Sequence, residues 1–232
     1  HYAWLRANAP VYRGRVAYLT DRDVWLVSRY ADCKALLADP RFPRAPEDGG
    51  SAMVADLPEH LRLLTAASMV MKDGEEHRRL RKLVVKPFSV RAIERLGDRV
   101  RELASGLLDD LQPQGQVELK DRFALPIPLT VISEMVGVGT DDRERFHRGT
   151  RALIGGVAEM GQQVWADEVT ALIGFVRELI ERHRGRPADD ILTGLIEAEE
   201  DGDRLSDDEL VSMVFTLITA GYETTYHLIS NA

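Results

Sequence analysis

Two short stretches of the chain carry residue types able to do chemistry. The first is His77-Arg-Arg-Leu-Arg81, in which His77 and Arg81 stand four residues apart. Residues four apart share one face of a helix. An imidazole donor and a forked guanidinium on one face make a clamp for paired carboxylates or phosphates. The competing reading is a solvated basic face, shared with Arg78, Arg79 and Lys82. A nucleic-acid site fits poorly, because Glu75 and Glu76 adjoin the run and the whole chain is acidic.

The second stretch is Ala220-Gly-Tyr-Glu-Thr-Thr225. Glycine inside a helix costs about 1 kcal/mol relative to alanine, so it needs a packing or functional reason. Ala220 and Gly221 together remove bulk, so that something flat could lie against the backbone. The Thr224 hydroxyl can compete for the Ala220 carbonyl and widen the helix locally. Glu223 offers a carboxylate for proton delivery. Close helix–helix packing with threonine back-bonding accounts for the same residues equally well.

Other candidates are weaker. Cys33 reads as a small buried thiol. His60, His147 and His183 share no metal spacing and read as surface residues. Trp165 and Phe175 read as core. No glycine loop for phosphate and no serine nucleophile elbow is present.

The elements that must position these residues are mostly helical. Of 232 residues, 44% are hydrophobic and 29% charged, which is a globular mix and not a disordered one. The longest apolar stretch, around 211–221, is about half of what a bilayer needs, so no segment spans a membrane. No secretory signal is present. A net charge of −8 argues against a nucleic-acid binder and for a soluble, cytoplasmic protein. One cysteine excludes an internal disulfide framework.

A helix over 2–9 ends at Pro10. Strand-like runs at 16–19 and 24–27, split by Thr20-Asp-Arg-Asp23, predict a hairpin. A helix follows from Tyr30 to Asp39-Pro40, and then a loop over 43–56. Helices are expected at 75–86, at 90–112 with one apolar face, near 129–136, and at 142–154, 162–184 and 189–199. Ser206-Asp-Asp-Glu209 fits a capping box for a last helix from Asp207 to the chain end. Its apolar residues surround it, which predicts deep burial. The chain starts at His1 and stops at Ala232 in what reads as mid-helix, so it reads as a piece of a longer protein.

In this order, the pieces resemble the N-terminal half of a soluble bacterial cytochrome P-450. Four stretches carry the resemblance: Trp4-Leu-Arg-Ala-Asn-Ala-Pro-Val11 with the hairpin and Ala35-Leu-Leu-Ala-Asp-Pro-Arg-Phe42; Met71-Lys-Asp-Gly-Glu-Glu-His-Arg-Arg-Leu-Arg-Lys-Leu-Val84 followed by Phe88; Asp189-Asp-Ile-Leu-Thr-Gly-Leu-Ile196; and Ile218-Thr-Ala-Gly-Tyr-Glu-Thr-Thr225. The resemblance implies a mostly α fold, a helical bundle with a small N-terminal hairpin, as a single domain over 1–232. Residues 43–73 would form the B–C loop region, 142–184 the F–G lid region, and 207–232 the start of the central I helix.

The same resemblance implies site roles. His77 and Arg81 would bind the propionates of heme b, with Phe88 near the heme edge. Ala220 and Gly221 would border the oxygen pocket. Thr224 would hydrogen-bond dioxygen or a nearby water, and Glu223 would feed protons. Val70, Thr216 and Ala220 would face the substrate, with Val70 also close to the cofactor. The implied activity is a monooxygenase that inserts one atom of O2 into an apolar or amphipathic small molecule, by hydroxylation or epoxidation, with a secondary metabolite as the expected substrate class. Electrons would come from NAD(P)H through a ferredoxin and ferredoxin reductase, and the protein would act as a monomer without nucleic acid or membrane. Alternatives are a heme protein of the same fold with peroxygenase or isomerase activity, and a helical binding protein without cofactor.

The sequence departs from the family pattern twice. Asp73-Gly-Glu-Glu76 replaces the usual Asp-Pro-Pro-Glu, which predicts a looser helix entry. The Glu-x-x-Arg motif and the heme cysteine are missing, and the metal ligand is expected after Ala232. Cys33 lacks the glycine-rich surroundings of that ligand.

Overall fold

The computed structural model describes residues 1–15, 23–44, 59–88 and 90–232. It is mostly helical and divides into two compact units, His1–Asp56 and Leu57–Ala232.

In the first unit, α1 (Tyr2–Asn8) leads into an antiparallel pair, β1 (Val11–Arg15) and β2 (Asp23–Val27), followed by α2 (Tyr30–Ala38). The pairing sets Tyr12 against Leu26, Arg13 against Trp25 and Arg15 against Asp23. Both arginines flank the Asp23 carboxylate, at 3.4 and 3.6 Å. The hairpin therefore starts earlier than expected, at Val11; the strand anticipated at 16–19 lies outside the described residues. Most of the loop expected at 43–56 also lies outside them. The Cys33 thiol is half-buried and donates to the Val27 carbonyl at 3.4 Å.

The second unit holds the core. It contains α3 (Glu59–Ala66), a 3-10 turn (Met69–Met71), α4 (Gly74–Val85), α5 (Val90–Leu111), a π-turn (Lys120–Ala124) and α6 (Pro126–Met135). Then come α7 (Arg143–Met160), α8 (Gln162–Gly185), α9 (Ile191–Glu197), a small hairpin β3 (Glu199–Glu200) and β4 (Asp203–Arg204), and α10 (Asp207–Ser230). α8 is the spine: Val169, Phe175 and Val176 are fully enclosed, and Trp165 is buried as expected. Against it pack α7, α9 and the first half of α10.

Four expectations need correction. Helix α3 falls in a region expected to be loop; it is short, and its polar ends hide the Leu61 that it buries. Helix α7 runs on past 154 to Met160, but the backbone leaves helical geometry at Gly156 (φ 68°, ψ −175°), directly after a second glycine. The β3–β4 hairpin was not expected at all. Its Asp201-Gly202 turn has positive φ at both residues, 54° and 81°, which is what a two-residue hairpin turn requires. Finally, His183 is not a surface residue. It is 7% exposed, with Nδ1 2.8 Å from the Leu179 carbonyl and Nε2 2.9 Å from Asp190, which also caps α9. His147 is half-buried with Nε2 3.0 Å from Ser133 Oγ, and burial, then Arg151 and Arg143, push its ring below the usual histidine range. The side chain of His60 lies outside the described residues.

Candidate functional site

Helix α4 sorts its charges onto two sides. Leu80, Leu83 and Val84 are buried in the core. Arg79 turns toward the β3–β4 hairpin and the start of α10, bonding Asp203 at 3.1 Å and also Glu209. Lys86, two turns on, bonds Glu200 at 2.5 Å and the Glu199 carbonyl. On the other side, His77 is half-buried and Arg81 exposed. Among the described residues neither has a hydrogen-bond or ion-pair partner. The basic run is thus partly structural, through Arg79 and Lys86. The His77/Arg81 pair is the part left for something else. At the entry to α4, Asp73 makes no side-chain cap, in line with the altered sequence there.

Helix α10 begins as the sequence predicts. Ser206 Oγ accepts from Glu209 N, and Glu209 accepts from Ser206 N at 2.8 Å, completing the capping box. Leu210 to Phe215, Ile218 and Tyr222 are buried. The apolar residues that pointed to burial are enclosed as expected; after them, Thr219, Ala220, Glu223, Thr224, His227 and Leu228 are exposed in this chain. Leu228 is 72% exposed, because no described element packs on that face. This face carries most of the motif.

Three threonines back-bond to the helix. Thr216 donates to Ser212 O at 2.9 Å, Thr219 to Phe215 O at 3.0 Å and Thr224 to Ala220 O at 2.6 Å. α10 runs without a break from Asp207 to Ser230. The Thr224 hydroxyl is anchored on the Ala220 carbonyl. Its oxygen lone pairs are then turned outward.

The two small residues of the motif have separate explanations. A side chain at Gly221 would meet Ile132 of α6 at 3.1 and 3.4 Å, so Gly221 allows α10 to lie close on α6. Ala220 is exposed and no such neighbour accounts for its size. The helix-packing reading therefore suffices for Gly221 and not for Ala220.

The 3-10 turn packs against both α4 and α10 and so ties the two stretches within one unit. Its Met69 is buried and Val70 is 46% exposed. Phe88 is half-buried against the core. Sequence reasoning missed His227, whose ring lies 3.8 Å from Glu223; the i,i+4 spacing was the available signal. Among the described residues, no group of three or more His, Cys, Asp or Glu is arranged to hold a metal ion, and no helix is long and apolar enough to cross a membrane.

Comparisons with known proteins agree on one family, although no family model matches the chain. It is 40% identical over 243 residues to cytochrome P450 107B1 of Saccharopolyspora erythraea, covering 99% of this chain and 56% of that protein. It is 36% identical over 225 residues to the mycinamicin IV hydroxylase/epoxidase of Micromonospora griseorubida, covering 97% of this chain and 55% of that protein. The solved structure of the Bacillus subtilis cytochrome P450 PksS superposes with a TM-score of 0.85 at 32% identity, over 98% of this chain and 56% of that one. Over essentially its whole length the chain is similar to the N-terminal half of the bacterial cytochrome P450s. It spans about half the length of the curated relatives it matches.

The residues present fit a heme on two counts. The His77/Arg81 donor set suits paired carboxylates and is not used by the described protein residues. Ala220, small and uncovered, leaves open backbone beside Thr224.

Proposed function

We propose that the whole protein is a heme-dependent monooxygenase that inserts one atom of O2 into an apolar or amphipathic small molecule, by hydroxylation or epoxidation. The observation that carries this reading is the pairing of two otherwise unused features in one unit: the partnerless His77/Arg81 face and the uncovered Ala220–Glu223–Thr224 face. A secondary metabolite is the favoured substrate class, and the mycinamicin hydroxylase/epoxidase among the relatives supports it. The protein acts in the cytoplasm as a monomer, with NAD(P)H electrons delivered by a ferredoxin and its reductase.

His77 and Arg81 hold the two propionates of heme b by charge-assisted hydrogen bonds. Phe88 packs beside the heme edge. Ala220 would keep the helix surface low for a flat ring, and Gly221 contributes by letting α10 sit close to α6. The heme, when bound, supplies dioxygen activation. Thr224 presents its hydroxyl oxygen to that space, anchored by its bond to Ala220. Glu223, one residue earlier and exposed, moves protons from solvent at its carboxylate oxygens. Val70, Thr216 and Ala220 line the substrate side and exclude water from it.

The test is spectroscopic. The reduced full-length protein treated with carbon monoxide should show the heme-thiolate absorbance, and a full-length protein that takes up no heme would overturn the proposal. In the same protein, Thr224→Ala should divert reducing equivalents to peroxide with near-normal heme content. Turnover driven by peroxide alone, with none from the reductase, would instead assign a peroxygenase of the same fold.

A further inference from the structure

We infer that His227 is the proton-relay residue behind Glu223, an inference that rests on the oxygenase reading above. Side chains on a helix lean toward its N-terminus, so a residue covers the turn that precedes it. His227 stands four residues after Glu223, so its ring leans toward that side chain. His227 Nε2 is 3.8 Å from Glu223 Oε1. The two side chains are 58% and 57% exposed. Nothing in the fold needs this contact, since an exposed pair of this kind stabilises a helix by only about 0.3–0.5 kcal/mol.

The backbone under the ring is fixed. Asn231 donates to the His227 carbonyl from its side chain at 2.7 Å and from its backbone at 3.1 Å, closing the last turn. The Tyr226 ring lies against the imidazole at 5.1 Å. From the π-turn packed on this helix, Lys120 reaches the Tyr226 ring at 5.7 Å. Asp121, Glu159 and Arg151 act on Tyr222, which stacks on Tyr226 at 6.0 Å. Glu223 is therefore the carboxylate that faces His227.

The transfer is simple to balance. When Glu223 has given up its proton, the two side chains close their 3.8 Å gap by rotation or through one water, the Nε2–H bond of the imidazolium breaks and an O–H bond forms at Glu223 Oε1. The ring becomes neutral imidazole and recovers its proton from water. Histidine is the side chain suited to that exchange near neutral pH.

The experiment uses the full-length, heme-loaded protein with a surrogate ferredoxin, its reductase and NADPH. It reads hydrogen peroxide released per NADPH consumed between about pH 6 and about pH 8.5. His227→Gln should raise peroxide release at least about threefold near neutral pH and flatten its pH profile, with heme content unchanged. In Glu223→Gln the further change His227→Gln should add nothing. A second arm follows the isotope-labelled His227 ring by NMR, and its pH response should move when Glu223 becomes Gln. An unaltered pH profile in His227→Gln, or a ring response indifferent to Glu223→Gln, overturns the relay. A wild-type protein that takes up no heme defeats the oxygenase reading instead, and the NMR arm then still decides whether the two side chains are coupled.

Discussion

Arg79 of α4 bonds the carboxylate of Glu209, 130 residues further along the chain. The same carboxylate closes the capping box of α10 by accepting from Ser206 N. One side chain therefore both starts the long helix and fastens it to α4. The other guanidinium nitrogen holds Asp203 at the mouth of the β3–β4 hairpin. His77 and Arg81 lie on the far side of α4, so the joint also sets how that helix is rotated.

Breaking this joint should cost stability. Arg79 is 34% exposed and Glu209 15%, so solvent screens part of the attraction. Arg79→Ala in the full-length protein should lower stability by about 1–2 kcal/mol. Glu209→Ala should cost roughly 1 kcal/mol more, because the cap goes with it. Thermal and urea unfolding measure both; equal losses in the two variants would contradict the double role.

The two small residues of the motif should respond in opposite ways. Gly221→Ala places a methyl 3.1 Å from the Ile132 side chain, and the crowding should cost the fold the gain of about 1 kcal/mol that alanine otherwise brings to a helix. Shortening the neighbour with Ile132→Val should recover part of that loss. Ala220→Val should leave the unfolding midpoint of the heme-free protein nearly unchanged and reduce heme uptake. Unfolding curves with and without added hemin separate the two effects.

Arg81 has no partner among the described residues, so its removal leaves no buried group stranded. Arg81→Ala should keep the heme-free fold intact. Heme retention should weaken by on the order of 2–3 kcal/mol, the scale of a hydrogen bond to a charged group. Transfer of heme to a scavenger protein reads this directly, and an unchanged transfer rate would count against the propionate role.

Much of the architecture was legible because its signals are local. The capping box at Ser206, the apolar period through Leu103 and Leu107, and the stop at Pro40 each announce an element by spacing alone. What escaped depends on contacts across the chain. Spacing on α4 cannot separate Arg79, which finds Asp203 and Glu209, from Arg81, which finds neither. Leu210, Val211, Val214 and Ile218, the apolar residues that pointed to a buried α10, are the ones the core encloses, and their spacing carried no information about the turns after Thr219. The Asp201-Gly202 turn was readable and was overlooked between two longer helices.

Acid should weaken one further joint. Glu134 of α6 lies between Arg99 of α5, at 2.8 Å, and Arg143 of α7, at 3.2 Å. Hydrogen bonds from Arg99, with help from Arg143, hold its carboxyl below the ordinary value of 4.5 despite partial burial. A depressed carboxyl contributes stability above its unfolded value and loses that contribution as pH falls through the folded one. The stability gap between wild type and Glu134→Gln should therefore be full at neutral pH and shrink as the pH falls below the ordinary carboxyl value of 4.5 and through the depressed folded one. A gap that persisted in strong acid would assign the effect of the substitution to packing.

Gly137 has a different kind of importance. Its backbone has φ +70°, and the space a side chain would fill holds His183 Nε2 and Asp190 Oδ2. Gly97 and Gly106 on exposed turns of α5 have open space around them. In a saturation library, position 137 should be nearly empty of survivors, while alanine at 97 and 106 should be enriched under heat selection. The chain's freedom to drift is thus decided by what lies opposite each bare Cα, and residues of the same type stand at the two extremes of mutational tolerance.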